Sequence, residues 1–176
     1  MGAGGVIAAA ALVGVVAAGA GGLAAPDDPD EVWREEGLRV VDRATRADDE
    51  CAPHSVGRVQ ELLKATPCAA LDRMLFTLTD DKGSTAVVFV AWIEFDDRDE
   101  ARGFKRVEDI HGTGDITPLS GSLLRVADVP FTAHNYDSDL LDGVTVVIAE
   151  AENVAGGFTA EYLDDIAAVA IRTPRP

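Results

Sequence analysis

The sequence predicts an α+β fold, a two-layer sandwich in which an antiparallel sheet carries helices on one face. Residues 70–79 alternate apolar and polar side chains, as in a half-buried strand, and residues 85–95 are apolar on both faces, as in a central strand. The turn Asp80-Asp81-Lys82-Gly83 joins the two into an antiparallel hairpin. Helical spacing of apolar residues over 55–65 and 98–110 predicts the helix layer.

The remaining elements extend this arrangement. The β-branched run 144–151 predicts a third strand, and residues 160–171 predict a last helix capped by Thr159. A short strand is also expected at 123–126. If residues 38–41 form a strand as well, the order becomes β-α-β-β-α-β, the ferredoxin-like pattern, which is the leading architecture.

Cap residues locate the ends of the helices. Ser55 and Asp97 precede the first two helices and are expected to accept hydrogen bonds from first-turn N–H groups. Gly112 suits the left-handed position that often follows a helix. The last four residues, 173–176, are expected to fray.

A charge boundary divides the chain near residue 26. Residues 1–26 carry no charged side chain, whereas seven of the next ten residues do. Because an apolar run of about 20 residues can cross a bilayer as a helix, residues 1–26 are expected to form a transmembrane anchor. The run is rich in Gly and Ala and contains Ala18-Gly19-Ala20, so a cleaved export signal is the alternative. Residues 27–50 then form an acidic linker, and 51–172 an extracytoplasmic domain.

The location and partners follow from the distribution of charge. No Lys or Arg precedes the apolar run, and we therefore expect the domain to face outside the cell membrane, or to be secreted if the run is cleaved. The net charge is −16, all of it after residue 26. Such an acidic surface repels nucleic acid, so the expected partners are the membrane, through residues 1–26, and a protein of the cell envelope.

The two cysteines, Cys51 and Cys68, are expected to form a disulfide, because an exported domain meets an oxidising compartment. Two free thiols are one alternative. The other is a cytoplasmic metal-binding domain in which His54 joins the two cysteines, although zinc sites normally need three or four protein ligands.

The sequence predicts no catalytic residue, cofactor or metal. His134, Asp137 and Ser138 occupy one loop, but the members of a catalytic triad usually come from distant parts of a chain. The acidic run 137–143 lacks the residues that a calcium-binding EF-hand loop needs at its fifth, sixth and twelfth positions. The candidate ligand-contact residues are His111, Thr113, His134, Tyr136 and Ser138.

Short motifs are distributed over residues 51–170. They are Cys51 and Cys68 around a helix, Ala91-Trp92, Gly112-Thr113-Gly114, Phe131-Thr132 with Tyr136 and Ser138, and Val146-Val147-Ile148-Ala149-Glu150. In these motifs the stretch resembles a group of predicted membrane-anchored or exported actinobacterial proteins of uncharacterised function. The resemblance implies no known activity.

Two functional hypotheses follow from the sequence. The first is a non-enzymatic extracytoplasmic domain that acts as an interaction or cell-envelope module. The second is a secreted domain that binds or hydrolyses a small ligand in a pocket between the sheet and the loop 113–142. A deep apolar cavity with convergent polar groups would favour the second hypothesis, and a filled core with a flat surface would favour the first.

Overall fold

The computed structural model describes residues 28–127 and 129–176, which fold as an α+β domain. The expected anchor or export signal, residues 1–26, lies outside the described residues. No helix within the described residues is long and apolar enough to cross a membrane. The helices and strands are α1 Glu31–Glu35, β1 Arg39–Asp48, α2 Gly57–Ala65, β2 Ala70–Thr79, β3 Thr85–Glu94, α3 Arg98–Glu108, β4 Tyr136–Leu141, β5 Thr145–Ala155 and α4 Ala160–Ala170.

The strands form one five-stranded sheet in the order β1-β2-β3-β5-β4, with every neighbouring pair antiparallel. The predicted β2–β3 hairpin is confirmed, from the Ala70–Glu94 pair at one end to Thr79–Thr85 at the turn. β3 lies in the middle of the sheet, as its apolar sequence predicted.

Both faces of the sheet are covered by helices. On β3, Val87, Phe89 and Ile93 point into a core that α2 and α3 complete. The alternate residues, including Val88 and Trp92, point into a second core that α1 and α4 complete. Because successive side chains of a strand point to opposite faces, one continuous apolar strand supplies both cores. We call the two sides of the sheet the α2/α3 face and the α1/α4 face.

The prediction of a two-layer, ferredoxin-like sandwich with helices on one face was therefore wrong in its layering and topology. A split β-α-β unit requires parallel strands around its helix, whereas β1 and β2 are antiparallel neighbours that pair from Arg39–Thr79 to Asp48–Leu71. The chain leaves the sheet after Asp48, forms α2, and returns beside its point of departure. Residues 49–69, which include α2, therefore connect two adjacent antiparallel strands, as the loop of a long hairpin does, and do not form a crossover.

Residues 27–50 were predicted to be an acidic linker, but the described part of this segment holds α1 and β1. Trp33 of α1 is fully buried, and its ring centroid lies 5.6 Å from that of Phe76 on β2. β1 is the edge strand, and many of its side chains face solvent. An edge strand with charged outward residues lacks the apolar signal of a central strand, which is why its composition resembled that of a linker.

The predicted disulfide is present between Cys51 and Cys68, whose Cα atoms are 6.0 Å apart. The bond joins the two ends of the connection between β1 and β2, because Cys51 follows β1 and Cys68 precedes β2. The described residues contain no free cysteine, so the free-thiol and metal alternatives for this pair do not apply. A structural disulfide is typical of proteins in oxidising compartments, which is consistent with an extracytoplasmic domain.

The helix caps were predicted with mixed success. Asp97 accepts hydrogen bonds from Asp99 N and Glu100 N at the start of α3, and Thr159 accepts one from Tyr162 N in α4. Ser55 does not cap α2, because its hydroxyl donates to Ala52 O instead.

Three local expectations in the second half of the chain were wrong. The strand expected at 123–126 is replaced by a 3-10 helix, Gly121–Leu124. The segment with His134, Asp137 and Ser138 was expected to be a loop, but it contains the start of β4, which forms the second edge of the sheet. The C-terminal tail is held in place, because Arg175 forms ion pairs with Asp72 and Glu94.

Candidate functional site

A short segment crosses the α2/α3 face and separates two cavities. We call residues 129–135 the strap. The Phe131 ring lies 5.9 Å from that of Phe89 on β3. Thr132 Oγ1 donates to Glu152 Oε1 over 2.6 Å, and Ala133 N donates to Glu150 Oε2 over 2.8 Å, both on β5. These contacts fix the strap over β3 and β5.

An apolar groove of about 380 Å³ lies on one side of the strap. Its floor is formed by Leu75 of β2 and Val87 of β3, and its walls by residues 118–121, 127 and 129–131. This is the space between the sheet and the loop 113–142 in which a ligand pocket was expected. None of the described residues that line it is charged: Leu75, Val87, Pro118, Leu119, Ser120, Gly121, Ala127, Val129, Pro130 and Phe131.

A larger depression of about 590 Å³ lies at the β2–β3 turn, beside the start of α4. Asp80, Asp81, Lys82 and Glu36 contribute charged side chains to its lining. Ligand sites for small molecules are mostly apolar with a few polar groups. The smaller groove matches that description better than this wide charged depression.

Three carboxyl groups meet on the other side of the strap, and we call Glu108, Asp115 and Glu150 the carboxyl cluster. Glu108 ends α3, Asp115 belongs to the loop that follows, and Glu150 lies on β5. Only 6% of Glu108 and 1% of Glu150 is exposed. The side chain of Asp115 lies within hydrogen-bonding reach of both glutamates.

Burial controls the protonation of this cluster. Burial, together with the Asp115 carboxyl, raises the pKa of Glu108 to about 10. The same two causes, in the same order, raise the pKa of Glu150 to about 9. Glu108 Oε2 and Glu150 Oε1 are buried, and no N–H or hydroxyl group donates a hydrogen bond to either of them. At neutral pH both glutamates are therefore protonated, which allows the carboxyl groups to bond to one another.

A cavity of about 70 Å³ adjoins the cluster. Tyr136 lines it, and burial followed by the charge of Glu108 raises the pKa of the Tyr136 phenol. The rim is a polar network centred on Asp109. Its Oδ1 accepts hydrogen bonds from Tyr136 Oη over 3.3 Å and Ser138 Oγ over 2.6 Å, and its Oδ2 pairs with Lys105 over 2.8 Å.

The structure brings together four of the five candidate ligand-contact residues. The His111 and His134 rings meet edge to face with centroids 5.4 Å apart, and Tyr136 and Ser138 share Asp109 as described above. Thr113 is different: it is buried, and its hydroxyl donates to Val107 O at the end of α3. Thr113 therefore hydrogen-bonds to the C-terminal end of α3, and it does not line the cavity beside the carboxyl cluster.

The carboxyl cluster was missed from the sequence, although two signals pointed to it. Glu150 is the one charged residue in the otherwise apolar run 146–151. Glu108 continues the buried stripe of Ala101 and Phe104 at helical spacing. Asp115 carried no such signal, because it lies in a loop.

Comparisons with protein-family models, with curated proteins and with solved structures found no match. The described residues also contain no group of three or more His, Cys, Asp or Glu side chains with the arrangement needed to hold a metal ion. The groove and the carboxyl cluster are therefore the features of the described residues that bear on function.

Proposed function

We propose that this protein is an extracytoplasmic domain that binds a small apolar ligand in the groove and catalyses no reaction. The groove is the observation that supports this proposal. Its volume of about 380 Å³ lies within the range of small-molecule sites, and its lining is mostly hydrophobic with an aromatic wall, Phe131.

The charge of the domain restricts the ligand. Every described residue that lines the groove is uncharged, and the chain carries a net charge of −16. An anionic ligand would meet an unfavourable field without a basic side chain to bind it. The ligand is therefore an uncharged or cationic apolar molecule.

A broad protein-docking face is less well supported than a groove. The large exposed apolar residues, Val41, Val56, Ile110 and Leu123 among them, come from separate elements of the fold. Single exposed apolar residues are normal on a soluble domain. A partner in the cell envelope would consequently have to use polar contacts.

Hydrolysis by the carboxyl cluster is also poorly supported. Carboxyl-based hydrolysis needs one protonated acid and one ionised base or nucleophile on either side of the scissile bond. Glu108 and Glu150 are both shifted to the protonated form, and Glu150 is almost completely covered. Neither glutamate offers an ionised base that a substrate could reach.

The membrane anchor remains part of the proposal. An uncharged stretch of 26 residues precedes the described domain, and the disulfide is typical of a compartment outside the cytoplasm. Membrane fractionation of cells that express the full chain, followed by protease treatment of intact spheroplasts, tests the location. A membrane-bound, protease-sensitive domain is expected, a protein released to the medium supports the secreted alternative, and a soluble, protease-shielded protein would contradict both.

Binding in the groove can be tested with the uncharged fluorescent probe N-phenyl-1-naphthylamine. We expect a saturable rise in fluorescence with one probe per domain. Ala127→Trp fills the groove and should abolish the rise, whereas Ala47→Trp makes the same change on exposed β1 and should not. Equal binding by both variants would place the probe elsewhere and contradict the proposal.

A further inference from the structure

We propose that two aspartates of β4, Asp137 and Asp139, keep this edge of the sheet closed to strand addition by a second copy of the chain. Their side chains occupy backbone N–H groups that an added strand would need. This property goes beyond the proposed function, because no residue of β4 lines the groove. Its loss would change the oligomeric state of the protein.

The direction of each backbone N–H group in β4 follows from the pairing of β4 with β5. Ala151 N donates to Asn135 O over 3.0 Å, so these two opposite residues form a hydrogen-bonded pair. Hydrogen-bonded pairs alternate with non-hydrogen-bonded pairs along an antiparallel ladder. In the register of the two strands, three N–H groups of β4 therefore point away from β5, toward the open edge: those of Tyr136, Ser138 and Leu140.

Aspartate side chains occupy two of these three outward N–H groups. Ser138 N donates to Asp137 Oδ1 over 2.7 Å, and Leu140 N donates to Asp139 Oδ1 over 2.7 Å. In both bonds the acceptor belongs to the residue just before the donor, so the edge is covered without help from another element. Because an exposed edge strand is a template for pairing with another chain, an added strand would first have to break both bonds.

The opposite edge of the sheet, β1, shows the same arrangement. Phe95 N donates to Val144 O, and the alternation carried from this pair across β3 and β2 directs the N–H group of Arg43 away from β2. Arg43 N donates to Asp42 Oδ1 over 2.9 Å. Both edge strands therefore have an outward N–H group that is bonded to the aspartate before it.

The charge of the aspartates acts in the same direction as their hydrogen bonds. Two copies of β4 that paired about a two-fold axis at Ser138 would place Asp137 of each copy opposite Asp139 of the other. Like charges directly opposite one another destabilise a strand pair. The net charge of −16 adds a general repulsion between copies. The hydrogen bonds and the repulsion can be separated, because asparagine keeps the acceptor oxygen and loses the charge.

The test is sedimentation equilibrium of the full chain in a density-matched detergent. The wild type should sediment as a monomer of 18.5 kDa. The double variant Asp137→Ala with Asp139→Ala frees both N–H groups, and at high concentration its measured mass should approach twice that of the wild type. The matched control is Asp164→Ala with Asp165→Ala, which removes the same charge from exposed positions of α4 and should stay monomeric.

A second double variant, Asp137→Asn with Asp139→Asn, separates the hydrogen bond from the charge. It carries the same net charge as the two alanine variants, but each asparagine still offers an oxygen to the N–H group that follows it. This variant should therefore stay monomeric. Association as strong as that of the alanine variant of β4 would show that the charge alone closes the edge, and would overturn the proposal.

Amide exchange measured by NMR locates the contact in the alanine variant of β4. As the protein concentration rises, exchange at Ser138 N and Leu140 N should slow, whereas exchange at Arg43 N, on the opposite edge, should not change. Each single alanine variant frees one N–H group and should also associate, which keeps the test valid if the double variant does not fold. A folded alanine variant that stays monomeric, a dimer without slowed exchange in β4, or equal association by the α4 control would overturn the proposal.

Discussion

Glu150 accepts a hydrogen bond from the backbone N–H of Ala133 over 2.8 Å, and Ala133 has a φ of +53°. A residue other than glycine in this left-handed region costs on the order of 1 kcal/mol and persists only where neighbouring contacts enforce it. Here the buried carboxyl of Glu150 provides one such contact. The same strap carries Phe131, a wall of the groove. The buried carboxyl cluster and the apolar groove are thereby connected through a few residues.

The pH dependence of stability is the first prediction. In the unfolded chain Glu108 is ionised above its ordinary pKa of 4.5, whereas the folded state keeps it protonated up to about pH 10. The folded state then binds more protons, so the contribution of Glu108 to the free energy of unfolding is greatest below pH 4.5 and falls as the pH rises toward 10. Each carboxyl that stays protonated contributes a slope of about 1.4 kcal/mol per pH unit.

Glu108→Gln should reduce the pH dependence of the free energy of unfolding, because it removes one of the protonated carboxyl groups. Urea unfolding at pH 5.5, 7 and 8.5 should show a flatter dependence for the variant, which becomes more stable than the wild type at pH 8.5. Glu61→Gln on the exposed side of α2 is the matched control and should follow the wild type. A wild-type protein whose stability rises between pH 5.5 and 8.5 would show that the cluster is ionised.

Gly114 should be far less tolerant of substitution than Gly112. Both have positive φ, +121° and +82°. A Cβ on Gly114 would lie 2.1 Å from Val56 O, whereas a Cβ on Gly112 would meet no atom within 4 Å. Chemical denaturation should give a loss of about 3 kcal/mol for Gly114→Ala and about 1 kcal/mol for Gly112→Ala. Equal losses would mean that the start of α2 does not pack against this loop.

Arg73 connects three parts of the fold and should be difficult to replace. This buried side chain donates from Nε and Nη2 to Asp48 of β1, and from Nη1 to Thr117 O over 2.9 Å. Arg73→Met should lower the free energy of unfolding by about 3 kcal/mol, because it leaves Asp48 without its buried partner. Arg46→Met, at the paired and exposed position on β1, should change it by less than about 0.5 kcal/mol. Similar losses for the two would contradict the burial of Arg73.

The disulfide should stabilise the domain measurably. The Cys51–Cys68 bond spans a sequence separation of 17 residues, for which the chain-entropy model gives about 3 kcal/mol. The double variant Cys51→Ser with Cys68→Ser should show that loss in urea without a change in the far-ultraviolet circular dichroism spectrum. Mass spectrometry of the native protein, before and after reduction, should show a gain of two hydrogens. An unchanged free energy of unfolding would indicate that other contacts suffice to fix the connection between β1 and β2.

The hairpin and two of the caps could be predicted from sequence because each depends on nearby residues, whereas the disulfide was predicted from the expected compartment. β2 matched its predicted limits, and Asp97 caps α3 through N–H groups two and three residues away. The prediction of helices on only one face of the sheet was wrong, although the sequence of β3 contained the evidence against it. Residues 85–94 are apolar on both faces, and a strand of that kind needs cover on both sides, which a one-sided helix layer cannot provide.

Several of the other errors concern contacts between residues that are far apart in the chain. β1 and β4 are edge strands, so their polar outward faces conceal the strand pattern. Arg175 is ordered by Asp72 and Glu94, more than 80 residues earlier. The carboxyl cluster assembles Glu108, Asp115 and Glu150 from three elements, and no spacing rule in a single sequence brings them together.

Hydrogen–deuterium exchange of the purified domain, with and without saturating N-phenyl-1-naphthylamine, is the measurement that tests the central claim most directly. If the groove is the ligand site, added protection should appear in residues 118–121 and 127–131 and be absent from α4. Protection confined to the α1/α4 face, or no saturable protection at any segment, would contradict the assignment of a ligand site to the groove.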